Sequence, residues 1–512
     1  MNKKKVILLL SGLLSISLGA CQKTGSSSTS SLDSSSSVVE SSRAINPTSV
    51  PFSSSSASSS QRKQVDPEED LEYTSDTSIG GGIAVRAKNK DIEGDLIIPS
   101  EFEGQKVTCV ESFGFMNCKK LYSVVIPDSV IEIQWEAFYG CERLESITFG
   151  KGLTGIGSAA FKNCKSLKEV TIPDSVTNMN EMAFELCTSL KSATIGKGLE
   201  STGDYAFYLC NNLEKVTFSN GLKEINQGAF YGCALNDINF PNSLTTIGSL
   251  AFHSCNNLTK VNIPDSVTLL DDGVFYACDQ LKEINVGNNN TAYCSINGVV
   301  YNKDKTILVC FPKAWDKDFV IENTVTTIGN YAFASCANLF EYTVPNHVTT
   351  IGEHAFASCS YLVHFYLNDN VTTIGMYCFT SCTSLRSVIF PNSIKSVESG
   401  MFNNCQALRY VGIPEGVTYL GSSAFDGCEA LSSITLPKSI NRFGIWIFDT
   451  PMKEIYYAGN ETEWNAIEGV SSSFYIYKEG TALYFYSETQ PTKTGNYWHY
   501  VNNVRTIWNN ID

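Results

Sequence analysis

The chain carries no H-E-x-x-H, no G-x-S-x-G and no glycine-rich phosphate loop, so the common signatures of zinc hydrolysis, acyl transfer and nucleotide binding are absent. Its carboxylates are scattered, with no pair that the sequence places across a cleft. Histidine is scarce: His253, His347, His354, His364 and His499 are the five, and they show no metal-ligand spacing. Positive charge is in deficit, and the formal net charge is −15. Nucleic acid and anionic lipid repel such a surface, so nucleic acid is not expected as a partner. Beyond the N-terminus no run reaches the roughly 18 apolar residues of a membrane-spanning helix. These absences point away from an enzyme and away from any cofactor.

The N-terminus is different. Lys3, Lys4 and Lys5 precede a short apolar run from Val6 to Ile16, the pattern of a secretion leader and too short to span a bilayer. Leu18-Gly19-Ala20-Cys21 then follows, and it resembles the lipobox of bacterial lipoproteins. That resemblance implies cleavage after residue 20 and acylation of Cys21. Two or three acyl chains hold stably, since each buried CH₂ contributes about 0.8 kcal/mol and one chain alone is marginal. The expectation is a chain anchored by lipid on the extracellular face of a bacterial cell membrane. Without the three lysines the net charge of −15 becomes about −18.

Residues 25–60 hold 19 serines in 36 positions, almost no aromatics and no periodicity. Such a stretch cannot bury enough apolar surface to offset its ordering entropy, so residues 21–65 read as a disordered tether behind the acylated cysteine. A coil of that length has an end-to-end distance of roughly 35 Å.

The body of the chain is periodic. Cysteines stand at 118, 141, 164, 187, 210, 233, 255, 278, 336, 359, 382, 405 and 428, in steps of 23 apart from one of 22 and one of 58. Each has phenylalanine three positions before it, from Phe115 and Phe138 through to Phe425, and most have leucine three positions after, as in Leu144 and Leu167. The unit after Cys233 has lost one residue and places Leu235 early, and a last unit without cysteine carries Phe448. In one unit, Glu169-Val170-Thr171-Ile172 alternates as a half-buried strand does, Pro173-Asp174-Ser175 turns the chain, and Ala183-Phe184 is expected to pack inward on a short helical turn. No unit can bury its own apolar face, so neighbours must stack. The expected fold is an α/β, β-rich solenoid of about 14 units of 23 residues with a parallel β-sheet face, on the order of 65 Å long at the usual strand spacing.

The pattern resembles the BspA-like leucine-rich-repeat family. The matching segments are Ile126-Pro127-Asp128-Ser129-Val130, Ile263-Pro264-Asp265-Ser266-Val267 and Thr350-Ile351-Gly352 ahead of Ala355-Phe356. The resemblance spans about residues 95–457 and implies a solenoid. It also implies a cell-surface setting, since members are mostly surface proteins and some are described as adhesins. The solenoid is expected over 111–457, an N-terminal cap over 66–110 with Ile83, Val85, Leu96, Ile97 and Ile98 as strand residues, and an aromatic C-terminal cap over 458–512. The 58-residue step inserts a β-hairpin at about 286–320, with Val299-Val300-Tyr301 and Thr306-Ile307-Leu308-Val309 as its strands. Val325-Thr326-Thr327-Ile328-Gly329 then resumes the repeat.

Thirteen ladder cysteines are an odd number, and stacking makes their side chains parallel rather than facing, so a buried column of thiols is expected instead of disulfides. A bridge between Cys294 and Cys310 in the insertion stays open. Outward strand positions form columns: Thr148, Thr171, Thr194 and Thr217, then Asn239, Asn262 and Asn285. On three later strands the outward residues become His364, Tyr366, Ile389 and Tyr410, which either bind a ligand or lie under the C-terminal region. Residues 453–512 are rich in aromatics, with Tyr497–Val501, Asn502-Asn503 and Val504–Trp508 reading as a hairpin. They cap the solenoid, or they form a carbohydrate-stacking platform. The function expected is adhesion to a host or bacterial surface protein through the sheet face, the ligand being an extracellular protein or glycan. The alternatives are a carbohydrate-binding or carbohydrate-processing protein and a passive envelope component.

Overall fold

The computed structural model describes residues 62–75, 81–315, 319–448, 452–470 and 480–508. The leader, Cys21 and nearly all of the tether lie outside the described residues, as do Phe474, Tyr475 and Tyr477. Among the described residues no helix is long and apolar enough to cross a membrane.

One coil shows why the sequence folds as it does. Glu169–Thr171 is extended, with Val170 buried and its neighbours outward. Pro173 breaks the strand, and Asp174 at the turn accepts from the backbone N–H of Lys197 one coil on, at 2.9 Å. Val176 points in, and a two-residue strand, Asn178–Met179, follows. Coil upon coil, these pieces form two parallel ladders. In one, Thr171 pairs Thr194 and Thr194 pairs Thr217, so the threonine column is real. In the other, Asn178 pairs Gly155. Asn285 donates to Asn262 at 3.3 Å, while Asn239 sits in 236–240, where the lost residue leaves no strand and interrupts that ladder.

The third side departs from expectation. Ala183-Phe184 lies on no helical turn. The residues two before and two after each phenylalanine take left-handed backbone, as at Met182 (φ 58°) and Leu186 (φ 61°), and Tyr205 (φ 55°) and Leu209 (φ 55°). This alternation turns every second peptide sideways. Phe161 N–H then donates to Ala183 O and Phe184 N–H to Ala206 O, both at 2.8 Å, across coils instead of along a helix. Left-handed geometry costs a non-glycine residue roughly 1–2 kcal/mol. The cross-coil hydrogen bonds and the phenylalanine column beneath offset that cost. Phe161, Phe184 and Phe207 are buried and stack at 5.3 Å centroid spacing.

The cysteines lie beside this column. All those described are free. Cys187 Sγ donates to Phe161 O at 3.2 Å and Cys210 Sγ to Phe184 O at 3.1 Å, so each thiol also ties its coil to the one before. Burial pushes the Cys118 thiol up to about 12, which keeps it protonated and inert. Cys294 and Cys310 are free as well, on the two strands that flank Val299–Asn302.

The solenoid has about 16 turns, and both regions expected to cap it contribute strands to its sheets. Within 66–110, Glu93–Ile97 already pairs Lys120–Val125 in parallel and Ile83–Ala87 pairs Gln105–Val110, while Leu71–Ser75 and the short Glu101–Phe102 lie antiparallel to their neighbours. Within 458–512, Ala482–Tyr486 continues the sheet in parallel from Glu454–Tyr457, and Tyr497–Val501 follows it. The terminal coils escape the repeat pattern because other side chains fill them. Trp498 is fully buried, with Nε1 donating to Tyr457 O at 2.9 Å.

The 58-residue step holds a three-stranded antiparallel meander, Tyr293–Ile296, Val299–Asn302 and Ile307–Cys310, whose last strand pairs Thr327–Ile328 in parallel. The apolar core divides here. Val300 belongs to the cluster of the preceding coils, while Val299, Tyr301 and Leu308 belong to the cluster of the following ones. The middle strand therefore stands between two stacks. Phe311 takes the place of the missing column member under Phe333, at 4.8 Å.

Candidate functional site

The outward residues of three consecutive strands form one exposed face. Glu341–Thr343, His364–Tyr366, Ser387–Ile389 and Tyr410–Gly412 pair in parallel, with Glu341, His364, Ser387 and Tyr410 in one column and Thr343 beside Tyr366 in the next. Phe365, Val388 and Val411 point inward and are buried, so the backbone under the face is pinned. On the outside Tyr366 is 48% exposed, Ile389 66% and Tyr410 57%. His364 is half-buried, with Phe340 edge-on at 6.2 Å. Phe340, just before Glu341–Thr343, and Tyr361, shortly before His364–Tyr366, are also exposed; strand alternation alone did not single them out. Arg386 and Arg409 flank it, exposed and without an ion pair among the described residues.

Among the described residues the C-terminal hairpin, Tyr497–Val501 with Val504–Ile507, reaches the strands Ser433–Leu436 and Glu454–Tyr457. Arg505 donates to Thr435 Oγ1 at 2.9 Å and Ser433 Oγ at 3.2 Å and lies 3.7 Å over the Tyr456 ring. Tyr484 stacks on the same ring at 4.8 Å, and His499 stacks on Trp508 at 3.6 Å. Most ring faces in this segment are thus spent internally, and the strands of Tyr366, Ile389 and Tyr410 stay uncovered.

A second aromatic feature escaped sequence reasoning. Along the left-handed turns runs a line of rings: Tyr231 on His253 at 4.0 Å, His253 on Tyr276 at 4.6 Å, Tyr276 near Tyr331 at 5.4 Å, and Tyr331 on His354 at 4.5 Å. The line crosses the meander. It hops between two repeat positions, the residue after each phenylalanine and the residue two before, so no single column reveals it. At Gly400 (φ 61°) a Cβ would lie 2.1 Å from the Tyr377 ring, so only glycine leaves that ring room. Burial lowers the His253 pKa to about 4 and also lowers that of His354. In the folded chain both histidines therefore protonate at lower pH than in the unfolded chain, which takes up the protons below about pH 6.5. Stability from this source is full above pH 6.5 and is lost as pH falls toward 4. Thermal unfolding scans from pH 7 to 4 are expected to show a falling midpoint, and a His253→Phe, His354→Phe chain is expected to fall less steeply. Equal slopes would show that the histidines carry none of it.

Among the described residues no group of three histidine, cysteine or acidic side chains stands close enough to hold a metal. The family model for the BspA type leucine-rich repeat region matches residues 108–233, 200–304, 309–430 and 372–468. The chain belongs to the BspA-type leucine-rich-repeat family. The matches break at 304 and resume at 309, inside the meander. No curated protein matches the chain. Among solved structures, a leucine-rich cell surface protein from Faecalibacterium prausnitzii is similar at 28% identity and TM-score 0.55, over 80% of this chain and 98% of that one. A leucine-rich-repeat protein from Eubacterium ventriosum is similar at 26% identity and TM-score 0.49, over 75% of this chain and 96% of that one. For this BspA-type chain the family explains the coil and leaves the outward residues free to differ.

Proposed function

We propose that the protein is a non-enzymatic, lipid-anchored cell-surface binder that adheres to host or bacterial surface proteins through the face of Tyr366, Ile389 and Tyr410. One observation carries this reading: three large apolar side chains, each about half exposed or more, stand on consecutive strands whose inward residues are fully packed. A rigid aromatic surface of this kind gains contact area at little entropic cost when a partner covers it. The leader pattern and Cys21 support the anchor, and the likeness to a bacterial cell surface protein supports the location. The carbohydrate reading has less support, because the C-terminal rings mostly stack on one another.

The test is binding of the protein to matrix proteins, mucins, glycans and whole bacterial cells, compared with a Tyr366→Ala, Ile389→Ala, Tyr410→Ala chain. The expected result is saturable binding to a protein ligand, weakened by at least about tenfold in the variant, since each hot-spot residue contributes about 2 kcal/mol or more. Equal binding by both chains would remove this face as the site. Binding or turnover of glycans alone would favour the second reading. Metabolic labelling with palmitate is expected to mark the protein and to vanish in Cys21→Ala; a labelled variant would rule out that anchor.

A further inference from the structure

The insertion that separates the two stacks leaves a cavity of 460 Å³, in the size range of small-molecule sites. One wall is the last coil before the insertion, with Phe275 and Tyr276; the other includes Tyr293 of the meander and Tyr331 of the following coil. The lining is mainly apolar and aromatic, with few polar groups. The most unusual of these is Lys313, which is 2% exposed. Its Nζ donates only long hydrogen bonds, to Tyr331 O at 3.5 Å and Ala332 O at 3.4 Å. No carboxylate among the described residues lies within ion-pair distance of it. An ammonium so placed has lost its water, and the carboxylates that act on it, Asp279 among them, lie beyond ion-pair distance, an arrangement folded proteins rarely keep without a purpose. Lys313 also borders a second aromatic space around Phe311 and Trp315, but Tyr331, whose carbonyl it touches, lines the first cavity.

We propose that this cavity binds a small organic monocarboxylate with an apolar or aromatic body, its carboxylate meeting Lys313. The body lies among Phe275, Tyr276, Tyr293 and Tyr331. Among the described residues Lys313 is the one cation in the lining, and Asp271 and Asp272 oppose negative charge there, so a second carboxylate on the ligand finds no partner and adds repulsion. Asp272 is itself held across the seam by Asn330 Nδ2 at 3.0 Å. A ligand here touches both stacks, since Tyr276 and Tyr331 come from opposite sides of the insertion.

The experiment is thermal unfolding of the full chain with 3-phenylpropionate, its neutral amide, and the dicarboxylate phenylsuccinate. The expected result is a rise in midpoint with 3-phenylpropionate, of about 2–4 °C at a hundred times its Kd, and at least tenfold weaker responses to the other two. Lys313→Met is expected to fold, to unfold at a higher temperature without ligand, and to lose the response; Lys313→Arg keeps it. The Arg variant and circular dichroism separate loss of the site from loss of the fold. No response of the parent chain at millimolar 3-phenylpropionate, an equal response to the amide, or an undiminished response in folded Lys313→Met would each overturn the proposal.

Discussion

Phe184→Ala is expected to lower the stability of the solenoid by about 3–5 kcal/mol. Phe184 is fully buried and its ring is covered on both faces, by Phe161 and Phe207, each at 5.3 Å. Alanine removes the ring and leaves a gap the neighbours cannot close. Each neighbouring ring is held by its own N–H donating across coils, Phe161 to Ala183 O and Phe207 to Ala229 O, both at 2.8 Å. The effect also spreads. In a stacked array each coil is stable through its interfaces, so weakening one lowers the stability of the two it joins. Urea unfolding followed by far-ultraviolet circular dichroism reads the loss as a lower midpoint. Tyr366→Ala is the control: its side chain is 48% exposed, and a surface change of that kind stays within about 0.5 kcal/mol. A Phe184→Ala midpoint no lower than the control's would mean the column is not what holds the coils together.

The same column explains what could be read from the sequence and what could not. Phenylalanine, cysteine and leucine recur because each coil faces identical neighbours and must offer identical surfaces, so the repeat registers as spacing. Period-two alternation was enough to turn Tyr366, Ile389 and Tyr410 outward. The terminal coils escape that spacing because they have one neighbour each and fill their interiors differently, as Trp498 does. The turn conformation was illegible for another reason. Left-handed backbone is usually announced by glycine or asparagine, yet here Met182, Tyr205 and Ala159 adopt it. Tertiary hydrogen bonds between coils, which no local propensity encodes, select it. Lys313 gave no signal at all: a lysine after a proline in an insertion reads as surface, and only the packing of the meander against two stacks buries it.

That meander is where the second large effect is expected. Tyr301 lies on its middle strand, 1% exposed, paired with Cys294 on one side and Leu308 on the other. Proline at this position removes a buried ring and a donor from an interior strand, where proline is not tolerated. Loss of the ring alone costs about 3–5 kcal/mol by analogy with other large aromatics. The consequence is specific to this architecture. Val300 packs with the preceding coils and Val299 and Tyr301 with the following ones, so the middle strand is the interface term that couples two otherwise separate cores. Tryptophan reports on each side independently, because Trp135 precedes the meander while Trp315, Trp446, Trp464, Trp498 and Trp508 follow its strands. In the parent chain the fluorescence change with Trp135 and the change without it, in a Trp135→Phe background, are expected to fall at nearby denaturant concentrations. In Tyr301→Pro they are expected to part, with the following coils, which lose the cover of Tyr301 and Leu308, unfolding first. If the two signals still moved together, the stacks would be coupled by the ring contact of Tyr276 with Tyr331 and the hydrogen bond of Tyr276 Oη with Ser358 Oγ, at 2.8 Å, rather than by the strand between them.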